Sequence, residues 1–218
     1  MNAITQNPAP LFTATDTTYR FARWGRPLAP VVFGVGDESL PHLKDAIAQA
    51  VGITGGVLAE TDPELGANFM WFFCREWSDL AAVPNLDKLL PNFERIIAAL
   101  TEQGASRYRS FGFDRDGSIK LCVVLIRVDA ATEALSLQTL GTSETFQSLL
   151  TWSEGAFAEI SPIAMIKSNN ICVVKPEFAA IVRAAYDPLM PAATEDPSHA
   201  LRLSARASKL VQDIEDGA

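Results

Sequence analysis

Histidine is scarce: His42 and His199 are the only two in 218 residues. Zinc sites and most hydrolytic triads are built on imidazole. Neither histidine stands in a ligand or triad pattern: His42 opens a helical stretch and His199 lies in "DPSHAL". Both read as surface or capping residues. Cysteine is nearly as rare. Cys74, Cys122 and Cys172 lie roughly fifty residues apart, too far for metal-ligand spacing, and an odd count is no disulfide framework. Cys74 and Cys122 sit in strongly apolar runs as small hydrophobes, and all three read as structural, which fits a reducing compartment. Basic residues are outnumbered, 18 against 26 acidic, for a net charge of −8. That balance argues against phosphate-backbone binding, so no nucleic acid partner is expected. The most apolar run, "FMWFFC" at 69–74, is far short of the roughly 20 residues a membrane span needs. The opening "MNAITQNPAPLFTATD" has neither the basic start nor the apolar stretch of a signal peptide, so a cytoplasmic location is expected. Nucleophile-elbow and phosphate-loop patterns are missing, and "GVGDE" meets Ser39 where a dinucleotide loop needs glycine. No cofactor is expected.

What is present reads as an ordinary globular chain, 48% hydrophobic and 20% charged. Residues 1–20 are rich in Thr, Asn and Pro and lack periodicity, which predicts a flexible arm. Residues 21–213 read as one domain and 214–218 as a tail. Within the domain, "PLAPVVFGV" reads as a strand, and Leu40, Leu43, Ile47, Ala50 and Val51 mark a helix stopped by Gly52. "ANFMWFFCREW" reads as a strand covered on both faces. A second helical region follows, with Phe93, Ile96, Ile97 and Leu100 on one stripe. "YRSFGFDRDGSIKLCVVLIRV" is a hairpin, its two β-rich runs joined by Asp114-Arg115-Asp116-Gly117. After it come three helical stretches, 132–157, 176–186 and 198–211. In the last, Asp196 and Pro197 form the start, and Leu201, Ala205 and Ala207 line one side. The order predicts an α+β fold, with a mixed sheet in the first 128 residues and a helical second part. The four tryptophans, Trp24, Trp71, Trp77 and Trp152, read as core.

The stretch "GTSETFQSLLTW", 141–152, carries the chemistry that can be argued. On a helix over 142–157, Phe146, Leu149, Leu150 and Phe157 share one face. Glu144, Gln147, Ser148 and Thr151 share another, expected to face solvent. A hairpin, a spacer and a helix with a central glutamate is also how zincin metalloproteases present H-E-x-x-H, in which two histidines hold zinc and the glutamate is the general base. Here the five positions are Ser143-Glu144-Thr145-Phe146-Gln147. Hydroxyl and amide groups bind zinc far more weakly than imidazole, so no metal is expected.

At these residues the chain resembles an uncharacterised bacterial domain family with a zincin-like pattern, E-E-L-T-Q-A-L-G in place of H-E-x-x-H. "RWGRPLAPVVFG", "ANFMWFFC", "DGSIKLCVVLI" and "IVRAAYDPLMP" resemble further motifs of that family in the same order, across about residues 23 to 191. The family's first glutamate is Ser143 here, and "LLTWSE" replaces its L-G-L-x-N-D. The resemblance implies a zincin-like fold and a degenerate, catalytically silent protein that binds a protein or peptide partner or serves as a subunit. Its cleft would lie between strand 118–128 and a helix face bearing Ser143, Glu144, Gln147 and Thr151, accepting a peptide by strand addition. The alternative is a hydrolase using Glu144, or Asp114 and Asp116, as acid or base. A third reading has a partner covering an apolar surface, and the residues leave the oligomeric state open.

Overall fold

The computed structural model describes residues 3–166 and 171–216. In chain order the elements are α1 (Ala3–Gln6), β1 (Phe21–Ala22), β2 (Pro30–Phe33), α2 (Leu40–Gly52), β3 (Phe69–Cys74), α3 (Leu86–Leu89) and α4 (Phe93–Glu102). There follow β4 (Arg107–Phe113), β5 (Ile119–Arg127), α5 (Ala130–Glu133), α6 (Leu137–Ser148), β6 (Ile163–Ile166), β7 (Ile171–Val174), α7 (Pro176–Ala185), β8 (Ala193–Thr194) and α8 (His199–Asp216). Short 3-10 turns cover Ala9–Phe12 and Trp77–Ala82.

The fold is α+β around a mixed four-stranded sheet of order β2-β3-β5-β4. β2 and β5 run parallel to β3, and β4 returns antiparallel along β5, leaving β4 at one edge. The β4–β5 hairpin is as its sequence predicts, with Gly117 at φ +82°, a backbone state that an L side chain rarely adopts. Alternation on the strands splits the core in two. Phe69, Trp71 and Phe73 of β3 join Cys122, Val124 and Ile126 of β5 beneath α2, α6, α7 and α8. Phe72, Val123 and Leu125 face the opposite way, onto Trp77, Leu86, Leu90 and Leu100. The stripe of α2 is buried as predicted at Leu43, Ile47, Ala50 and Val51. Of the tryptophans, Trp24, Trp71 and Trp77 are buried and Trp152 is half-buried against the main core. No helix of the described residues is long and apolar enough to cross a membrane.

Four expectations fail, each for a tertiary reason. Residues 3–20 are not a free arm, because Leu11, Phe12 and Tyr19 are buried in the main core and α1 packs on α7 and α8. The motif helix stops at Ser148 instead of reaching 157: Leu150 bridges Arg23, and Thr151 donates its amide to the Ala22 carbonyl. This pairing with the N-terminal segment pulls the chain out of helical geometry. On α8, Leu201 and Ala205 are exposed, and Ala200, Leu203 and Ala207 form the buried face. The last helix also continues through Asp216, so the expected tail begins in helix, while residues 217 and 218 lie outside the described range.

Candidate functional site

Helix α6 starts at Ser136, whose hydroxyl accepts the Thr139 amide. It then runs between α2 and the sheet. Gly141 permits the close approach to α2, since a Cβ there would lie 2.6 Å from the Cβ of Ala46. Along it Thr142, Glu144, Thr145, Phe146 and Ser148 are all buried. The solvent-facing polar side expected from the sequence is therefore an interior one, and this corrects the placement of Glu144.

The Glu144 side chain is 2% exposed and faces two guanidinium groups of the edge strand. Arg109 donates from Nη2 to Oε2 at 2.6 Å, and from Nε to the Ser148 hydroxyl at 2.8 Å. That hydroxyl in turn donates to the Glu144 carbonyl at 2.7 Å, so one arginine grips the helix at two points a turn apart. Arg107 lies 3.1 Å from Oε1 as an ion pair without hydrogen-bond alignment, and its own Nε is enclosed with no partner. Residues 107 and 109 point the same way because strand side chains alternate. Two cations thus meet one anion, and the cluster carries a net positive charge in a chain of −8. Beneath it Cys122 is fully buried, and burial pushes its thiol up to about 12.

The other three candidate residues do not join Glu144 in one cleft. Ser143 and Gln147 are half-buried and bonded to each other, Nε2 donating to Oγ at 3.2 Å. Thr151 lies beyond the helix and accepts the Ala22 amide at 2.8 Å. It lines a cavity of about 480 Å³ beside the hairpin turn. The bordering strand differs too: β5 is paired on both sides, and the open edge belongs to β4. Sequence reasoning missed Arg107 and Arg109, and it set Ser148 on the face of Glu144 without counting it among the site residues. The signal for the two arginines was the alternation in "RYR" of a strand next to a turn.

The outer side of β4 follows from its ladder. The Arg127 amide bonds the Ser106 carbonyl, and the Cys122 amide bonds the Asn68 carbonyl on the far side of β5. In an antiparallel pair the bonded positions alternate, so Arg107, Arg109 and Phe111 turn their N–H and C=O groups away from β5. Among the described residues, no other backbone group meets them.

A second polar hub lies at the hairpin turn. Arg26 contacts Asp114 at 2.7 Å, Glu64 at 2.9 Å and Asp62 at 3.3 Å, at the wall of a groove of about 1050 Å³. Burial pushes the Asp62 carboxyl up, but the amides of Leu65 and Glu64, with Asn68 and Arg26, outweigh it and hold the group below the usual carboxylate range. Asp116 is also held low, chiefly by the Ser118 hydroxyl and amide. A general acid needs the opposite shift. Among the described residues no group of three or more His, Cys, Asp or Glu side chains is placed to hold a metal ion. His42 is exposed, whereas His199 is core, its Nδ1 2.7 Å from the Tyr19 hydroxyl and its ring against Phe21.

The fold and site thus define an α+β protein with a carboxylate held by two arginines under an open sheet edge. No protein-family profile, curated protein or solved structure matches the chain.

Proposed function

We propose that the chain is a catalytically silent, metal-free zincin-like domain that binds an extended segment of a partner protein along β4. The observation that carries this reading is the open edge: a seven-residue strand whose outward backbone groups at Arg107, Arg109 and Phe111 meet no other backbone group among the described residues. An added strand gains affinity from such main-chain bonds and specificity from alternate side chains. The order of hairpin, spacer and buried helix with a central glutamate supports the zincin-like part of the reading. The closed state of Glu144 supports catalytic silence, because a general base must reach a water and this carboxylate is enclosed by guanidinium groups. The chain then acts where its partner is, with no nucleic acid and no cofactor in the complex.

Selection from a displayed library of random peptides tests the binding. Peptides that bind should slow hydrogen exchange at the amides of Arg107, Arg109 and Phe111. Binders that leave those three amides exchanging as before would refute the edge. Metal analysis of protein purified without chelator tests the other half: stoichiometric zinc held at Ser143 and Gln147 would overturn the metal-free reading.

A further inference from the structure

We propose that Arg107 is the receptor for a carboxylate side chain of the bound segment, so that the partner is an acidic extended peptide; this rests on strand addition at β4. Three observations converge on Arg107. It belongs to a cluster with two guanidinium groups and one carboxylate, so one positive charge is left over. Arg109 is already committed through both Nε and Nη2, whereas Arg107 makes one ion pair without hydrogen-bond alignment. Arg107 is also the more accessible of the two, 33% exposed against 18%.

Geometry places the ligand. A residue of an added strand opposite Arg107, on the same face, has its Cβ about 5 Å away, within reach of a guanidinium fork. Four positions along, past Arg109, on that face, the added strand meets Phe111. The segment should therefore carry Asp or Glu toward the Arg107 end and an apolar residue toward the Phe111 end. The same charges disfavour a second copy of this chain as the occupant. Antiparallel pairing of two β4 strands about Arg109 or Tyr108 sets guanidinium against guanidinium, and like charges directly opposite are destabilising.

The test uses the full chain and peptides from a displayed random library, resynthesised with each acidic residue changed to its amide. Acidic peptides should bind about tenfold more tightly than their amide forms, the worth of one charge-assisted hydrogen bond. The difference should shrink as salt is raised. In Arg107→Gln it should vanish, and in Arg107→Lys it should return in part, with melting curves confirming that both variants are folded. Peptides that protect the β4 amides but bind equally well in acid and amide form would overturn the acidic preference and leave strand addition standing. No protection by any selected peptide would remove strand addition itself. Protection that rises with protein concentration in the absence of peptide would make the edge a self-interface and overturn both.

Discussion

Replacing Glu144 by glutamine keeps the shape of the side chain and one acceptor oxygen but removes the charge that two arginines face. Unit charges 4 Å apart attract by about 4 kcal/mol at an effective dielectric near 20. Part of that is offset by desolvation of the carboxylate and by repulsion between the two guanidinium groups. Breaking a fully buried pair by deleting one partner costs about 3–5 kcal/mol, mostly because the other charge is stranded. Here the stranded groups are not fully buried: Arg107 is 33% and Arg109 18% exposed, so both recover some water. Glu144→Gln should accordingly lose about 2–3 kcal/mol, below the fully buried range. Urea denaturation reads this as a lower midpoint at unchanged slope. The sharper test is the cycle with Arg109→Met. If the pair is coupled, the double variant loses clearly less than the two single losses together, because neither charge is then left facing an empty site. A Glu144→Gln loss under about 0.5 kcal/mol, the range of ordinary surface changes, or an additive cycle, would refute the buried clamp.

Phe146 is fully buried and stacks on Trp152 at 5.2 Å, with Phe178 edge-on at 6.3 Å. Phe146→Ala should cost about 3–5 kcal/mol, with a denaturant midpoint independent of protein concentration. Gly141→Ala would raise helix propensity, yet the new methyl meets Ala46 at 2.6 Å, so calorimetry should show a loss of about 1–3 kcal/mol. Burial, helped by Arg202 and opposed by Asp196, lowers the His199 pKa to about 4. A histidine depressed below its unfolded value near 6.5 gives stability that is whole above pH 6.5 and lost as the pH falls toward 4. That loss amounts to about 3 kcal/mol, and a His199→Asn variant should show a clearly shallower slope in this window, keeping only the part due to carboxylates.

The sequence was most legible where structure is set locally. The turn at Asp114–Gly117 and the stripes of α2 and α4 all depend on residues within a few positions of one another, and each stands where its pattern puts it. Helix α6 resisted the same reading because its partners are remote. Glu144 meets residues 35 and 37 positions earlier, and a glutamate beside threonines and serines carries no local sign of them. Polarity at helical spacing means solvent only when no opposite charge waits in the interior. The end of α6 was hidden for a related reason. Leu149, Leu150 and Trp152 continue an apolar helical pattern, but the chain there is claimed by Ala22 and Arg23. The first twenty residues misled in the other direction. Leu11, Phe12 and Tyr19 are too few and too irregularly spaced to show periodicity, yet they close one end of the core.

Residues from two distant segments, "RWGRP" and "AAYDP", meet at the C-terminal end of α6. A helix leaves its last carbonyls without intrahelical donors, and when that end is buried other groups must supply them. Trp24, from "RWGRP", donates its indole N–H to the Ser148 carbonyl at 2.7 Å. Tyr186, from "AAYDP", donates its hydroxyl to the Leu149 carbonyl at 2.9 Å, and Arg23 lies over its ring at 5.4 Å. Asn68, from "ANFMWFFC", holds the chain between these elements by accepting the Ala29 amide and donating to the Pro27 carbonyl. Trp24 and Tyr186 fix the end of the helix, Asn68 fixes the segment leading into β2, and none of the three contacts Glu144 through a hydrogen bond. Contacts of this kind hold a scaffold, and scaffold alone does not transmit chemistry. The groups that would decide chemistry are Ser143 and Gln147 at the ligand positions and the two arginines on the glutamate. Gln147 is spent on Ser143 and both arginines are spent on Glu144, while the strand that carries the arginines keeps outward backbone groups that meet no other backbone group among the described residues.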